Sequence, residues 1–291
     1  MFPGLLRFAP RNDNSGDNFA MTMPYQSPET ENNMTKIILC GCLGRLGSAV
    51  CRLAASNPEV EIVAGVDVMP PGGGLSYPIY TDITQCQQSA DVVICSFRPT
   101  ASTDIEAVLE YCATKQIPLV LCTTSLPQST LNAMERAADK VAVLLSANLS
   151  LGINLLVNML NRASKLLYDA GFDIEIIEKH HNQKLDAPSG TAYLLADAAN
   201  QALDGKMKYV HDRSQTRDSR RRNEIGLHAI RGGSIVGEHN VIFAGQDEVI
   251  ELTHIAGSRD VFAVGAINAV RFIKGKPPGL YNMQDLINSI H

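Results

Sequence analysis

From Lys36 onward, short and nearly continuous apolar runs alternate with patterns typical of helices. Strands that are apolar on both faces indicate a parallel sheet with helices packed on each side. This part of the chain therefore predicts a Rossmann-like, doubly wound α/β domain. The predicted strands are Lys36–Cys40, Glu61–Val66, Val92–Cys95, Leu119–Leu121 and Val141–Leu145, and the predicted helices are Leu46–Ser56, Thr103–Lys115 and Ser129–Asp139.

The pattern changes after Asn148. Three strand-like runs follow one another near the C-terminus through short connections that contain glycine, which predicts a mixed or mostly antiparallel sheet in a second, α+β domain. These runs are Ile225–Arg231, Ser234–Phe243 and Glu248–Ile255, and they follow a helix at Ile153–Asp169, a strand-like run at Phe172–Ile177 and a helix at Ala192–Ala202. A last helix, Val261–Lys274, is expected to return to the first domain.

Composition limits the partners of the chain. Its 291 residues are 45% hydrophobic and carry a net charge of −5, which argues against nucleic acid as a partner. No apolar run approaches the roughly 20 residues that cross a bilayer, so we expect no membrane association. Residues 1–33 lack hydrophobic periodicity and predict a disordered tail.

The seven cysteines form no C-x-x-C pair and lie mostly inside apolar runs. We interpret them as small buried hydrophobes in a reducing compartment, which predicts a cytoplasmic protein.

A glycine-rich turn follows the first predicted strand and opens the first predicted helix. It reads Gly41-Cys42-Leu43-Gly44-Arg45-Leu46-Gly47, with Leu43 where the commoner G-x-G-x-x-G motif has a second glycine. Asp67 ends the second strand, where a carboxylate can bind the adenosine ribose of a dinucleotide. Because this carboxylate would repel a 2′-phosphate and no Lys or Arg lies between Arg52 and Arg98, we expect NADH to be preferred over NADPH.

The segment from Glu178 to Thr191 is the strongest candidate for chemistry. It places His180, His181 and Lys184 just after a strand-like run, and Pro-Ser-Gly190-Thr191 just before a helix. The first turn of a helix offers N–H groups that bind anions, so this segment predicts a small anionic substrate and proton-coupled chemistry. Adjacent histidines on a surface and an ordinary N-cap are the alternative interpretation. A zinc site is disfavoured because no third ligand is evident nearby, and no metal is expected.

Together these residues resemble the dihydrodipicolinate reductase family, from about Thr35 to the C-terminus. The most specific block is Glu178-x-His-His-x-x-Lys-x-Asp-Ala-Pro-Ser-Gly-Thr. Further blocks are Gly44-Arg-Leu-Gly47, Ala147-Asn-Leu-Ser-Leu-Gly-Ile-Asn154, Arg231-Gly-Gly-Ser-Ile-Val-Gly-Glu-His239 and Ser258-Arg-Asp-Val-Phe-Ala-Val-Gly-Ala266.

The resemblance implies an NAD(P)H-dependent reductase of 4-hydroxy-tetrahydrodipicolinate, a cyclic dicarboxylate of diaminopimelate and lysine biosynthesis. It implies a dinucleotide-binding domain at 34–149 and 259–291, and a substrate-binding domain at 150–258 that assembles a homotetramer. His180 would donate a proton, Lys184 would be the catalytic cation, and His181, Gly190 and Thr191 would bind substrate. The cofactor contacts would be Gly41, Cys42, Leu43, Gly44, Arg45, Leu46, Asp67, Cys122, Thr123, Thr124, Ser146, Ala147, Asn148 and Leu149.

Three segments depart from the family's pattern: Cys95-Ser-Phe97, Cys122-Thr-Thr-Ser125 and Leu149. The backbone N–H of Cys122 can still donate, although its side chain is larger than the usual glycine. Two other functions stay open at this point: a different nicotinamide-dependent dehydrogenase, and a nucleotide-binding protein without catalysis.

Overall fold

The computed structural model describes residues 34–68, 75–98, 104–123 and 126–290. The strands within these ranges are β1 (Thr35–Cys40), β2 (Val60–Val66), β3 (Ile79–Tyr80), β4 (Val92–Cys95), β5 (Leu119–Leu121), β6 (Ala142–Leu145), β7 (Asp173–His180), β8 (Lys208–Val210), β9 (Glu224–Arg231), β10 (Glu238–Ala244), β11 (Val249–Ile255) and β12 (Gly279–Tyr281). The α-helices are α1 (Arg45–Ala55), α2 (Ile105–Lys115), α3 (Gln128–Ala138), α4 (Leu151–Asp169), α5 (Gly190–Ala202), α6 (Asp260–Ile273) and α7 (Met283–Ser289).

The first sheet is parallel throughout, in the order β3-β2-β1-β4-β5-β6-β12. Its central strands are apolar on both faces, and β4 is buried at every residue. Helices α1 and α6 share one hydrophobic core with the sheet, and α2 and α3 share the other. The prediction of a Rossmann-like, doubly wound sheet is confirmed, and the strand order reverses between β1 and β4, where such folds bind ligands.

The second sheet is mixed, in the order β11-β10-β7-β9-β8. Strand β7 runs parallel to β9 and antiparallel to β10. Burial alternates along β7 and β10, so that one face packs with α4 and α5 in a third core. The opposite face carries half-buried and exposed side chains. The prediction of a second, mixed sheet packed with helices is confirmed.

Some elements differ from those predicted. Strand β10 begins at Glu238 rather than Ser234, because residues 232–237 form a loop, and β7 extends to His180. Strands β3, β8 and β12 and helix α7 were not predicted. These strands have two or three residues each, too few for a periodicity to be visible. Thr103 and the predicted tail, residues 1–33, lie outside the described residues.

The seven cysteines are free thiols that belong to, or pack against, the two cores of the first sheet. This confirms their interpretation as small core residues. Among the described helices, none is long and apolar enough to cross a membrane.

Candidate active site

A cleft of about 480 Å³ lies where the carboxyl end of β6, the end of β7 and the first turns of α5 and α6 meet. This volume is within the range typical of small-molecule sites. Its lining includes every residue that the sequence predicts for catalysis and substrate binding. The lining residues are Ala147, Asn148, His180, His181, Lys184, Ser189, Gly190, Thr191, Tyr193, Leu194, Asp197, Val236, Arg259 and Phe262.

His180 is the last residue of β7 and is held from within the protein. Its Nδ1 lies 2.6 Å from Oε2 of Glu178, two residues earlier on the same face of the strand. The Glu178 side chain is fully buried, whereas 12% of the His180 side chain is exposed to the cleft. Glu178 and His180 therefore lie on the same face of β7. Because β7 ends at His180, His181 does not follow the alternation of the strand, which would place its side chain on the opposite face of the sheet. Both histidines line the cleft.

The loop after β7 and the start of α6 add cations to the cleft. Lys184 Nζ donates to Asp186 at 2.8 Å, and this bond lowers the pKa of Asp186. Arg259 donates to Nε2 of His181 at 3.2 Å. Partial desolvation, followed by the charges of Arg259 and neighbouring cations, lowers the pKa of His181, so its neutral ring accepts this bond.

Helix α5 begins at the floor of the cleft. Ser189 is its N-cap, and the Ser189 hydroxyl accepts from the Ala192 N–H at 3.1 Å. Gly190 and Thr191 open the first turn, whose N–H groups lack acceptors within the helix. The Thr191 hydroxyl also accepts from the Asn148 side chain at 3.0 Å, which links α5 to the loop after β6. This turn is suited to a carboxylate.

The glycine turn between β1 and α1 has the backbone that a dinucleotide site needs. Gly41 has φ +82°, a left-handed conformation that favours glycine, and a Cβ at Gly47 would lie 2.1 Å from the Gly41 carbonyl oxygen. Gly44 is the N-cap of α1 and brings no side chain to satisfy the first-turn N–H groups of Arg45 and Leu46. These donors fit a pyrophosphate.

Asp67 follows β2 and is a buried residue, only 8% exposed. One carboxylate oxygen accepts from the Leu43 N–H at 2.9 Å, and the other accepts from the Val68 N–H at 2.9 Å. The carboxylate thus ties the glycine turn to β2, and each oxygen retains acceptor capacity for a ribose hydroxyl.

The other predicted cofactor residues follow β5 and β6, on the same edge of the sheet as the glycine turn. The N–H of Cys122 does not remain available, because it donates to the Cys95 carbonyl at 2.8 Å. Leu149 is buried in the core that α6 completes. Ser146 bonds the Asn148 carbonyl at 2.7 Å. Cofactor contact by these residues stays a prediction, and Thr124 and Ser125 lie outside the described residues.

Sequence reasoning gave no role to several residues that shape the cleft. Arg259 belongs to the family block Ser258-Arg-Asp, but a single arginine before a helix does not by itself indicate a substrate contact. Phe262 on α6 and Tyr193 on α5 also line the cleft. They come together only through the packing of the two sheets and their helices.

Comparison with known proteins first defines the class. The fold resembles the dipicolinate-bound dihydrodipicolinate reductase from Paenisporosarcina sp. TG-14, with a TM-score of 0.69 and 22% identity. That similarity covers 87% of this chain and 99% of the other. It places the chain among proteins that join a Rossmann-like sheet to a second, mixed sheet.

Sequence comparison gives the family. Models of the dihydrodipicolinate reductase N-terminus and C-terminus match residues 35–149 and 152–287. A 4-hydroxy-tetrahydrodipicolinate reductase of Caldanaerobacter subterraneus subsp. tengcongensis is 48% identical over 256 residues, covering 87% of this chain and 98% of the relative. One from Clostridium tetani is 46% identical, covering 88% and 98%. The chain belongs to the dihydrodipicolinate reductase family.

Proposed function

We propose that the protein reduces 4-hydroxy-tetrahydrodipicolinate to tetrahydrodipicolinate with NAD(P)H, in diaminopimelate and lysine biosynthesis. The observation that carries this proposal is the cleft in which His180, Lys184, Arg259 and the N-terminus of α5 converge. Family membership and the names of the relatives support the same reaction. The dipicolinate bound to the Paenisporosarcina protein supports a ring dicarboxylate as ligand.

A dicarboxylate needs donors at two places, and the cleft offers two groups of them. Gly190 and Thr191 present first-turn N–H groups and a hydroxyl, and Lys184 adds a positive charge. Arg259, paired with neutral His181, presents a guanidinium next to them. Charge-assisted hydrogen bonds of this kind are the strong ones, so these residues hold and orient the ring.

His180 is the proton donor in this mechanism. Loss of the 4-hydroxyl group together with a hydrogen of the neighbouring ring carbon releases water, and the resulting conjugated ring gains a hydride and a proton. A bound reduced nicotinamide supplies the hydride. Negative charge then develops on the conjugated ring, where the ammonium of Lys184 stabilises it and His180 gives up its proton.

The cofactor is held at the carboxyl edge of the first sheet. Its pyrophosphate binds the glycine turn and the start of α1, and Asp67 binds the adenosine ribose. The remaining contacts are Cys122, Thr123, Thr124, Ser146, Ala147, Asn148 and Leu149. Because Asp67 disfavours a 2′-phosphate, NADH is the preferred cofactor. A higher kcat/KM with NADPH than with NADH would contradict this preference.

The proposed domain boundaries separate the residues that bind the cofactor from those that bind the substrate. Residues 34–149 and 259–291 bind the dinucleotide, and residues 150–258 bind substrate and carry the assembly surface. Contacts of α6 with the core of the first sheet support this assignment of the C-terminal segment. Seven free cysteines in the hydrophobic cores support a cytoplasmic location.

The open face of the second sheet assembles a homotetramer. Side chains on this face mix apolar and charged groups, with half-buried Ile177 and Ile242 and exposed Ile255 beside Lys179 and Glu238. Apolar side chains exposed on a sheet face are typical of an interface between subunits.

A coupled assay tests the function. The upstream synthase generates the substrate in place, and oxidation of NADH or NADPH is followed in separate reactions. We expect oxidation that depends on the synthase and that slows by at least about 100-fold in His180→Gln. Oxidation that proceeds equally without the synthase, or with unrelated sugars and semialdehydes but not with the dicarboxylate, would contradict the proposal.

A further inference from the structure

Glu178 is a buried acid beside the cleft, and it takes no direct part in the proposed transfer of hydride and proton. Its carboxylate accepts four hydrogen bonds. Arg231 donates to both oxygens at 2.7 Å in a bidentate pair, and the Ser189 N–H donates to Oε1 at 2.9 Å. The fourth contact is the 2.6 Å bond between Oε2 and Nδ1 of His180.

The charge state of Glu178 follows from these contacts. Burial opposes ionisation, but the hydrogen bonds from Arg231, His180 and Ser189 outweigh it and lower the pKa of Glu178. The group is therefore a carboxylate at neutral pH. Because a carboxylate only accepts hydrogen bonds, Nδ1 of His180 carries a hydrogen, and Nε2 is the atom that exchanges a proton.

The same carboxylate joins three elements of the fold. Across the sheet its neighbours are Ala229 on β9 and His239 on β10, and the small side chain of Ala229 lies on the face that Arg231 shares. Its bond to the Ser189 N–H reaches the N-cap of α5. The imidazole of His180 and the anion-binding first turn of α5 are thus fixed by one buried group.

We infer that Glu178 is a positioning residue for the reduction. Its carboxylate, clamped by Arg231, holds His180 with Nδ1 protonated and Nε2 available to the cleft, and it stabilises the imidazolium form that donates the proton. This inference rests on the proposed function, because it explains how His180 becomes the proton donor.

Other titratable and charged groups also surround His180. His239 lies edge-on at 5.2 Å between ring centroids, but its pKa is lowered to about 4, so it is neutral. The charge of Arg231 is already paired with both oxygens of Glu178. Among the described residues, Glu178 is the anion in direct contact with the ring. The remaining charged or titratable neighbours are His181, Lys184, Asp186 and Arg259.

Steady-state kinetics of Glu178→Gln separate positioning from a purely structural role. The amide keeps the shape and loses the charge, so we expect kcat to fall about 10–1000-fold, with KM within about threefold. The alkaline limb of the kcat profile should move to lower pH in the variant, because the protonated ring loses its counter-charge. Glu175→Gln is the matched control. Glu175 lies on the opposite face of β7 and pairs with His228 at 2.8 Å, and its replacement should leave the profile unmoved.

Nitrogen NMR of the protein without ligands provides a second readout that needs no turnover. Wild-type neutral His180 should carry its hydrogen on Nδ1, and Glu178→Gln should shift the ring toward the other tautomer. If Glu178→Gln unfolds because Arg231 is left unpaired, the double variant Glu178→Gln/Arg231→Met removes that charge and should show the same change.

An unchanged tautomer together with an unmoved pH profile would overturn the inference. If Glu178→Gln changes the tautomer but the wild-type protein does not reduce the dicarboxylate, the proposed function is contradicted, while the role of Glu178 in orienting His180 stands.

Discussion

His180 is the side chain whose replacement tests the proposed chemistry most directly. His180→Gln keeps a polar side chain in the cleft but removes the imidazole that donates the proton. We expect kcat to fall ~10²–10⁴-fold, the usual contribution of a general acid, with a smaller effect on KM. Steady-state kinetics with synthase-generated substrate measure this, and near-normal turnover would exclude His180 as the proton donor.

Thr191 tests substrate binding without touching the proton donor. Its hydroxyl lies in the cleft and accepts from Asn148 at 3.0 Å. Thr191→Val keeps the volume and removes the hydroxyl, so KM should rise about tenfold, the equivalent of one charge-assisted hydrogen bond, while kcat changes little. Thr191→Ser, which keeps the hydroxyl, is the control. An equal loss of kcat would place Thr191 in the chemical step instead.

Among single residues, the sequence could predict which side chains lie together in the cleft when these are clustered along the chain. His180, His181, Lys184, Gly190 and Thr191 lie within twelve positions and all line one cavity. The bidentate pair of Arg231 with Glu178 joins residues 53 positions apart, and no local pattern indicates it. Long-range polar contacts depend on strand order, which periodicity alone does not give.

At the scale of elements, the long, strongly apolar segments were the predictable ones. Strands β4 and β5 begin and end at the predicted residues, and α6 differs by one residue at each end. Strand β12 could not be foreseen, because its three residues carry no visible periodicity and its partner strand β6 lies far away in the sequence. These residues adopt a strand because they pair with β6 at the edge of the sheet, not because of their own β-propensity.

His239 on β10 gives a prediction about stability for this part of the fold. Burial, with the charge of His180 next, lowers the pKa of His239 to about 4 from an ordinary 6.5. Between these values the unfolded chain binds a proton that the folded protein does not, so the free energy of unfolding falls as the pH falls. This single group should remove about 2 kcal/mol between pH 7 and pH 5.

Urea unfolding at the two pH values measures the effect. In His239→Gln the loss of stability between pH 7 and pH 5 should be smaller by about that amount, whereas the exposed position His211 provides the control variant His211→Gln. An equal pH dependence in wild type and His239→Gln would show that the His239 ring is protonated in the folded state.

For the whole molecule, the open face of the second sheet predicts assembly. Ile255 is 65% exposed on edge strand β11, and its cross-strand neighbour on β10 is Glu238, which pairs with Lys179 at 2.8 Å. An exposed isoleucine beside a satisfied ion pair is well suited to contact another copy of the chain. Light scattering after size exclusion should give about four times the 31.5 kDa chain mass.

Ile255→Asp tests whether this face is the interface. A carboxylate buried between subunits without a partner costs several kcal/mol, so the variant should dissociate at micromolar concentration while its circular dichroism spectrum stays that of the wild type. Leu166→Asp is the matched control, because Leu166 is 71% exposed but lies on α4, on the helical side of the sheet. Dissociation by Leu166→Asp, with Ile255→Asp still tetrameric, would move the interface to the helices. A wild-type protein that is monomeric at all concentrations would exclude the tetramer altogether.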